Sequence, residues 1–251
     1  MVKIALDAGH GKHTPGKRTP DDEREWSFND KVLRACAAKL QTYQDVEVLR
    51  LDDSSGKADV LLKDRTDRAN EWKADVLVSI HHNASTGKWH GGGGVETYVF
   101  PSASTTAKDI AKRIHPRIVN AMGLRDRGIK TADFHMLRES QMPAVLTEGG
   151  FMDSTVDIHS LRSDVLLKKQ GEAIAEGLAL HFKLVPKKED VKVASEDKEK
   201  NARADASFQA GQDFVKAAKI SDGTYPRRQI TRQEFWAMLE RYDRYLNSQQ
   251  K

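Results

Sequence analysis

The sequence predicts an α/β domain built on a mainly parallel, twisted sheet flanked by helices, with a small all-α module behind it. Three observations carry this expectation. Strand-like and helix-like segments alternate through residues 1–184, the pattern of a parallel sheet with crossover helices. Several of the strands are continuous apolar runs, as expected where both faces of a sheet are covered. After residue 184 the composition changes: residues 185–206 mix both charges densely without one aromatic, and apolar residues return only from Phe208.

Taken in order, Val2, Ile4 and Leu6 mark a buried strand over residues 2–7, ending in the loop Asp7-Ala-Gly-His-Gly. Phe28, Val32, Leu33, Cys36 and Leu40 recur at helical spacing and predict a helix over residues 25–43. Residues 46–51 are a second strand, and a helix runs from Lys63 to Ala74. Asp75-Val-Leu-Val-Ser-Ile-His81 is a third strand. After the glycine run Gly91–Gly94, residues 95–100 are a fourth. A helix covers Thr105 to Met122, Phe134-His-Met-Leu is a short strand, Ala144 to Glu148 is a buried one, and a last helix covers Asp164 to Phe182. In sheets of this kind ligands bind beyond the carboxyl ends of the strands.

The bulk properties exclude several classes. No stretch approaches the roughly 18 consecutive apolar residues of a membrane span, so no stable membrane insertion is expected. The net charge of +4 is spread along the chain, without the basic run interleaved with aromatics that a nucleic-acid surface needs. Attraction to an anionic polymer such as a cell wall fits the same charge. Cys36 is the only cysteine, so no intrachain disulfide forms, and its place in the apolar pattern reads as a small core residue. The amino terminus runs straight into a strand without the layout of a Sec signal peptide, which predicts synthesis and folding in a cytoplasm, so that any action outside needs a separate means of release.

Three residues of metal-binding type fall where a fold of this class can gather them. His10 ends the first strand, Glu25 opens the first helix and His81 ends the third strand. Two imidazoles and one carboxylate leave the fourth position of a tetrahedral zinc open to water, as hydrolytic sites require. The ion brings the water's pKa toward about 7 and polarises a scissile carbonyl. Glu148, closing the apolar strand 144–147, is placed to serve as general base and then as proton donor to the leaving amine. On the residues alone, His10 and His81 read equally well as polar loop residues, and Glu25 as an acid complementing a helix dipole. Glu148 is harder to dismiss, since a carboxylate closing an apolar strand needs a partner or a task.

The motifs around these residues form a recognisable series. Leu6-Asp-Ala-Gly-His10-Gly-Lys-His-Thr-Pro-Gly16, Glu25-Trp-Ser-Phe-Asn29, Leu62-Lys-Asp-Arg65-Thr-Asp-Arg-Ala-Asn70, Ser79-Ile-His81-His-Asn83-Ala-Ser, Phe134-His-Met-Leu-Arg138 and Pro143-Ala-Val-Leu-Thr-Glu148-Gly-Gly-Phe151 together resemble, in the same order, the zinc-dependent N-acetylmuramoyl-L-alanine amidases of the amidase-3 family. The resemblance spans residues 1–184. It implies a zinc amidase/exopeptidase-like fold, one zinc ion on His10, Glu25 and His81, and Glu148 as the catalytic carboxylate. It implies cleavage of the amide joining N-acetylmuramic acid to L-alanine in peptidoglycan. The family pattern selects His81 over His82, which points to the opposite face of its strand, and Asn29 selects Glu25 over Glu23. Asn83, Gly92, Gly93 and His135 are the candidate substrate contacts, the glycines because they let a backbone approach a ligand closely; a plain flexible connector accounts for the glycine run equally well. The other histidines, His13, His90, His115, His159 and His181, match no ligand position and read as surface or loop residues. Arg65 is expected to orient carboxylates or cap strand ends.

Residues 185–206 read as a charged linker and 207–251 as a helix–loop–helix unit, in which Thr231 and Glu234 form a capping box. Phe214 to Arg241 resembles a surface-layer homology unit, with Lys219 where a glycine is common. The resemblance implies binding to a secondary wall polymer. Such units usually work in threes, so a single copy points to association of several chains, and a dimerisation helix pair is the alternative. An amino-terminal catalytic domain, a targeting tail and no signal peptide together resemble a phage endolysin. A sporulation or mother-cell autolysin has the same features. An inactive wall-binding protein would lack one of the four site residues, all of which are present, and a zinc exopeptidase acting on soluble peptides would have no use for a wall-targeting tail.

Overall fold

A computed structural model describes residues 1–187, and the chain divides after Lys187. The helical tail unit and the linker beyond Lys187 lie outside the described residues.

Six strands form one sheet in the order β2-β1-β3-β6-β4-β5, where β1 is Val2–Ala8, β2 Val46–Arg50, β3 Val76–Asn83, β4 Val95–Val99, β5 Asp126–Thr131 and β6 Ala144–Phe151. β2, β1, β3 and β6 run parallel; β4 is antiparallel to β6 and parallel to β5. The mainly parallel α/β expectation therefore holds, with a reversal at one edge.

The pleat splits the apolar strand residues between two cores. Ile4, Leu6, Val78, Ile80 and Val145 face α1 (Glu25–Leu40), α3 (Thr105–Met122) and α6 (Asp164–Phe182). Ala5, Leu77 and Leu146 face the shorter α2 (Leu62–Glu71) and α4 (His135–Arg138). Cys36 lies in the first core, fully buried, and burial raises its thiol pKa well above the usual range. Among the described residues no helix is long and apolar enough to cross a membrane.

Several elements differ from the sequence expectation. Residues 134–137 are not a strand: Leu137 and Arg138 donate their amides back to Phe134 O, and the turn buries Met136 and Leu137 against the second core. A short apolar run fits a buried strand or a helical turn equally well, and periodicity does not separate them. β5 was not anticipated because it is a half-exposed edge strand whose one large apolar side chain is Ile129. The five-residue α5 (Asp157–Leu161) was also missed. α1 stops at Leu40 rather than residue 43, and α2 stops at Glu71 rather than Ala74 because Lys73 turns left-handed (φ 54°). His115 is buried, not at the surface: its ring bridges Thr97 Oγ1 (2.9 Å) and Asp126 Oδ1 (2.8 Å).

The chain leaves the domain along a fixed path. Gln44 N donates to Val185 O (2.8 Å) and Lys187 N to Thr42 O (2.8 Å), so residues 185–187 belong with the catalytic domain rather than with a free linker.

Candidate active site

The site begins with how β1 ends. His10 has φ +66°, a left-handed conformation that a residue with a Cβ adopts only under constraint. Arg65 supplies the constraint. Its guanidinium, 1% exposed, donates to Asp7 Oδ1 (2.7 Å), Ala8 O (2.9 Å), His10 O (3.1 Å) and Asp59 Oδ1 (3.1 Å), while Nε donates to Val60 O (2.9 Å). Asp7 takes a further hydrogen bond from Ser79 Oγ (2.7 Å), which ties β1 to β3. A planar fork with five donors is suited to this task; an ammonium is not. The orienting role expected of Arg65 is what its contacts describe.

Gly9 leaves room for the neighbouring strand. A Cβ there would fall 2.0 Å from the His81 ring. Glu25 opens α1 with its N–H donating to Lys17 O (3.0 Å), and its side chain is 3% exposed. His10 Nε2 lies 3.3 Å from Glu25 Oε2 and His81 Nδ1 lies 2.9 Å from Glu25 Oε1. The two rings meet edge to face with centroids 4.9 Å apart. One ligand atom from each of the three residues falls within 4.8 Å of the others, a cluster able to hold a metal ion. Glu23, the rejected neighbour, turns outward to Arg162.

The electrostatics follow from burial and mutual contact. Burial holds the His10 pKa down at about 4, against the pull of Glu25. Burial alone would raise Glu25, but the hydrogen bond and charge of His81, with His10 and Lys17, bring it to about 2. Burial would lower His81, and Glu25 reverses it upward.

Glu148 sits in register with His81 across the β3–β6 pair, so both side chains rise from the same face of the sheet. Among the described residues its buried Oε2 has no hydrogen-bond partner, and burial raises its pKa to about 8, with Glu25 and Glu96 adding to the rise and His81 and Lys17 opposing it. His82 points the other way. Its Nδ1 lies 2.7 Å from Asn29 Oδ1, and Asn29 spends both amide hydrogens on Gly9 O (3.0 Å) and Glu25 Oε1 (3.3 Å). His82 Nδ1 is therefore the donor. Burial keeps the ring neutral, with a pKa of about 4, so its Nε2 accepts, which calls for the Gln170 amide nitrogen on that side. The Glu-x-x-x-Asn spacing thus works through Asn29, which braces Glu25 and Gly9 together.

The remaining candidates separate. Asn83 lines a cavity of about 300 Å³ with Glu25, His81 and Glu148, and its amide donates to Glu96 Oε2 (3.1 Å). Gly92 and Gly93 do not line that cavity. The close approach the glycine run permits is to Asp157: a Cβ on Gly93 would fall 2.4 Å from its carboxylate, and Gly94 N donates to it (2.7 Å). His135 meets Thr66 Oγ1 (3.2 Å) where α4 touches α2.

Three contributors escaped the sequence reading. Glu96, paired with Glu148 across β4 and β6, accepts from Arg127 Nε (2.6 Å), Lys130 Nζ, Tyr98 Oη (2.6 Å) and Asn83. Asp153 gathers the amides of Ser85 (2.8 Å), Thr86 (2.7 Å) and Gly87 (2.9 Å) and the His90 ring (3.0 Å), which shapes the cavity wall. Lys17 lines the same cavity. An isolated acid or lysine carries no local pattern, whether in a strand or a loop, so only the tertiary partners reveal these three.

A profile of the N-acetylmuramoyl-L-alanine amidase family matches residues 4–179. The chain belongs to this family. The amidase is 40% identical over 187 residues to N-acetylmuramoyl-L-alanine amidase CwlM of Bacillus licheniformis, spanning 73% of this chain and 70% of that protein. It is 36% identical over 203 residues to the endolysin of Bacillus phage SPP1, spanning 76% and 72%. Among solved structures, the catalytic domain of the amidase CwlV from Bacillus (Paenibacillus) polymyxa var. colistinus superposes with a TM-score of 0.67 at 30% identity, covering 74% of this amidase and all of that domain.

Proposed function

We propose that this amidase cleaves the bond between N-acetylmuramic acid and L-alanine in peptidoglycan, using one zinc ion held by His10, Glu25 and His81 and Glu148 as the proton-transferring carboxylate. Membership of the family makes the chain an N-acetylmuramoyl-L-alanine amidase. The observation that carries the site assignment is the pairing of a two-imidazole, one-carboxylate cluster with a buried carboxylate oxygen that has no other partner. That donor set fits zinc of the hydrolytic type, which leaves a coordination position for water. When bound, the ion supplies Lewis-acid chemistry, acidifying a water and polarising the scissile carbonyl.

The chain's own residues do the rest. Asn29 and Arg65 hold the ligand-bearing loop and helix in place before substrate arrives, as second-layer partners of a metal site do. Glu148, with Oε2 free, takes a proton from the attacking water and returns it to the departing alanine nitrogen. Burial keeps bulk water from competing for that proton.

The proposed role is lysis of a host wall as an endolysin, supported by the likeness to the phage SPP1 protein. The likeness to the sporulation-specific N-acetylmuramoyl-L-alanine amidase of Bacillus subtilis supports a sporulation or mother-cell autolysin as the second role; neighbouring genes distinguish the two. Residues 207–251 are proposed to bind a secondary wall polymer or to self-associate.

The test is end-group analysis of digested Gram-positive peptidoglycan, with and without a zinc chelator. New alanine amino groups without new reducing sugars, abolished by chelator and restored by zinc, are expected. New reducing ends would make the protein a glycosidase and overturn the reading.

A further inference from the structure

The metal cluster lies between two cavities of opposite character. One, of about 230 Å³, is bounded by Asp59, Val60, Leu61 and Leu62. Leu61 and Leu62 are exposed, and of the carboxylates lining this cavity Asp59 is the partly exposed one. The other, of about 300 Å³, holds Glu148, Asn83 and Lys17.

Lys17 differs from the other cations of its loop. Lys12 lies 4.8 Å over the Trp26 ring, and Arg18 and Arg24 both pair with Asp22. Among the described residues Lys17 has neither a carboxylate nor a ring as partner. Its backbone, by contrast, is fixed, because its carbonyl takes the N–H of Glu25 at the start of α1. The residue is thus anchored at the wall of the cavity by its backbone, and its ammonium is left without a counter-charge among the described residues. Its charge is felt by His10, Glu25 and Glu148 alike.

We propose that Lys17 binds the first carboxylate of the stem peptide beyond the cleaved amide, and so fixes the direction in which substrate lies across the metal site. This rests on the amidase reading. The stem carries an acidic residue directly after the alanine, and its carboxylate is free in some walls and amidated in others. The peptide arm runs into the Lys17 cavity, away from Asp59. The neutral sugar arm runs over Leu61 and Leu62. Lys17 is in this way a specificity residue for the amidation state of the wall.

The experiment uses the zinc-loaded full chain and two soluble muropeptides that differ only in whether this carboxylate is free or amidated. The natural protein should prefer the free acid by about twofold to fivefold in kcat/KM, mainly through KM, the size expected of one partly screened ion pair. Lys17→Gln should bring the ratio close to one, Lys17→Glu should invert it, and Lys17→Arg should keep it. An unchanged ratio in Lys17→Gln overturns the proposal. So does an equal loss of preference in Lys17→Arg, which would mean that packing rather than charge was removed. If the natural protein cuts neither muropeptide, the amidase reading itself fails and this inference goes with it; if it cuts both without distinction, only this inference fails.

Discussion

Arg65 is a buried cation whose removal would be felt at every residue around it. Arg65→Ala would leave Asp7 buried without its counter-charge and release the left-handed turn at His10. The expected loss is about 3–5 kcal/mol, read from the urea midpoint. Arg65→Lys should recover little of it, because an ammonium does not reproduce the fork. At the reacting centre the two roles separate cleanly. Glu148→Ala should retain zinc by metal analysis and lose about 10²- to 10⁴-fold in hydrolysis; His81→Ala should lose the zinc as well. Full activity in either variant would sink the mechanism. At this scale the sequence was informative where function depends on local motifs. The candidate ligands His10, Glu25 and His81 and the candidate base Glu148 could be named because each lies in a short motif resembling one of the family's. Glu96, Asp153 and Lys17 could not, because what makes each one matter is a partner from a distant segment.

Among the elements, the apolar pattern located the four longer helices and five of the six strands, and it failed on the half-exposed β5 and on two short helical turns, α4 and α5, although the cores bury residues of both turns. β5 and the 134–137 turn are the cases in point: one is too polar to register and the other too short to have a period. The β4–β5 edge also carries an acid-sensitive contact. Burial would raise the Glu96 pKa, but the hydrogen bonds from Lys130, Tyr98 and Arg127 bring it down to about 2, against an ordinary value of 4.5. A depressed carboxylate stabilises the fold above its unfolded pKa, and that contribution is lost as pH falls from about 4.5 toward 2. Urea midpoints measured at pH 5 and pH 3 should therefore drop, and Glu96→Gln should drop less between the same two pH values while starting lower. An identical drop in both proteins would clear Glu96 of the effect.

For the whole molecule, residues 1–187 carry two hydrophobic cores of their own. A chain ending at Lys187 should fold cooperatively and keep its rate on soluble muropeptides, while losing rate on intact walls if residues 207–251 hold the polymer. Equal rates on intact walls would remove the targeting role. Zinc binding to the folded chain alone should also raise its thermal midpoint, by an amount equivalent to about 2.7 kcal/mol when free zinc is 100-fold above its Kd. A midpoint indifferent to zinc and chelator would contradict a resident ion. The parallel sheet and the position of its reactive ends were legible from the alternation of elements; the reversal of β4 was not, since strand direction leaves no trace in composition.

Lys187 is fastened next to the turn that leads into β2, at the amino ends of the parallel strands, and the seven residues of β1 separate that end from His10. At roughly 3.3 Å per residue this is a distance of roughly 20 Å. A resin, a bead or a dye coupled at Lys187 would grip the catalytic domain by its heel, with the mouth turned outward, and an insoluble polymer could be presented to the immobilised protein without the support standing in its way.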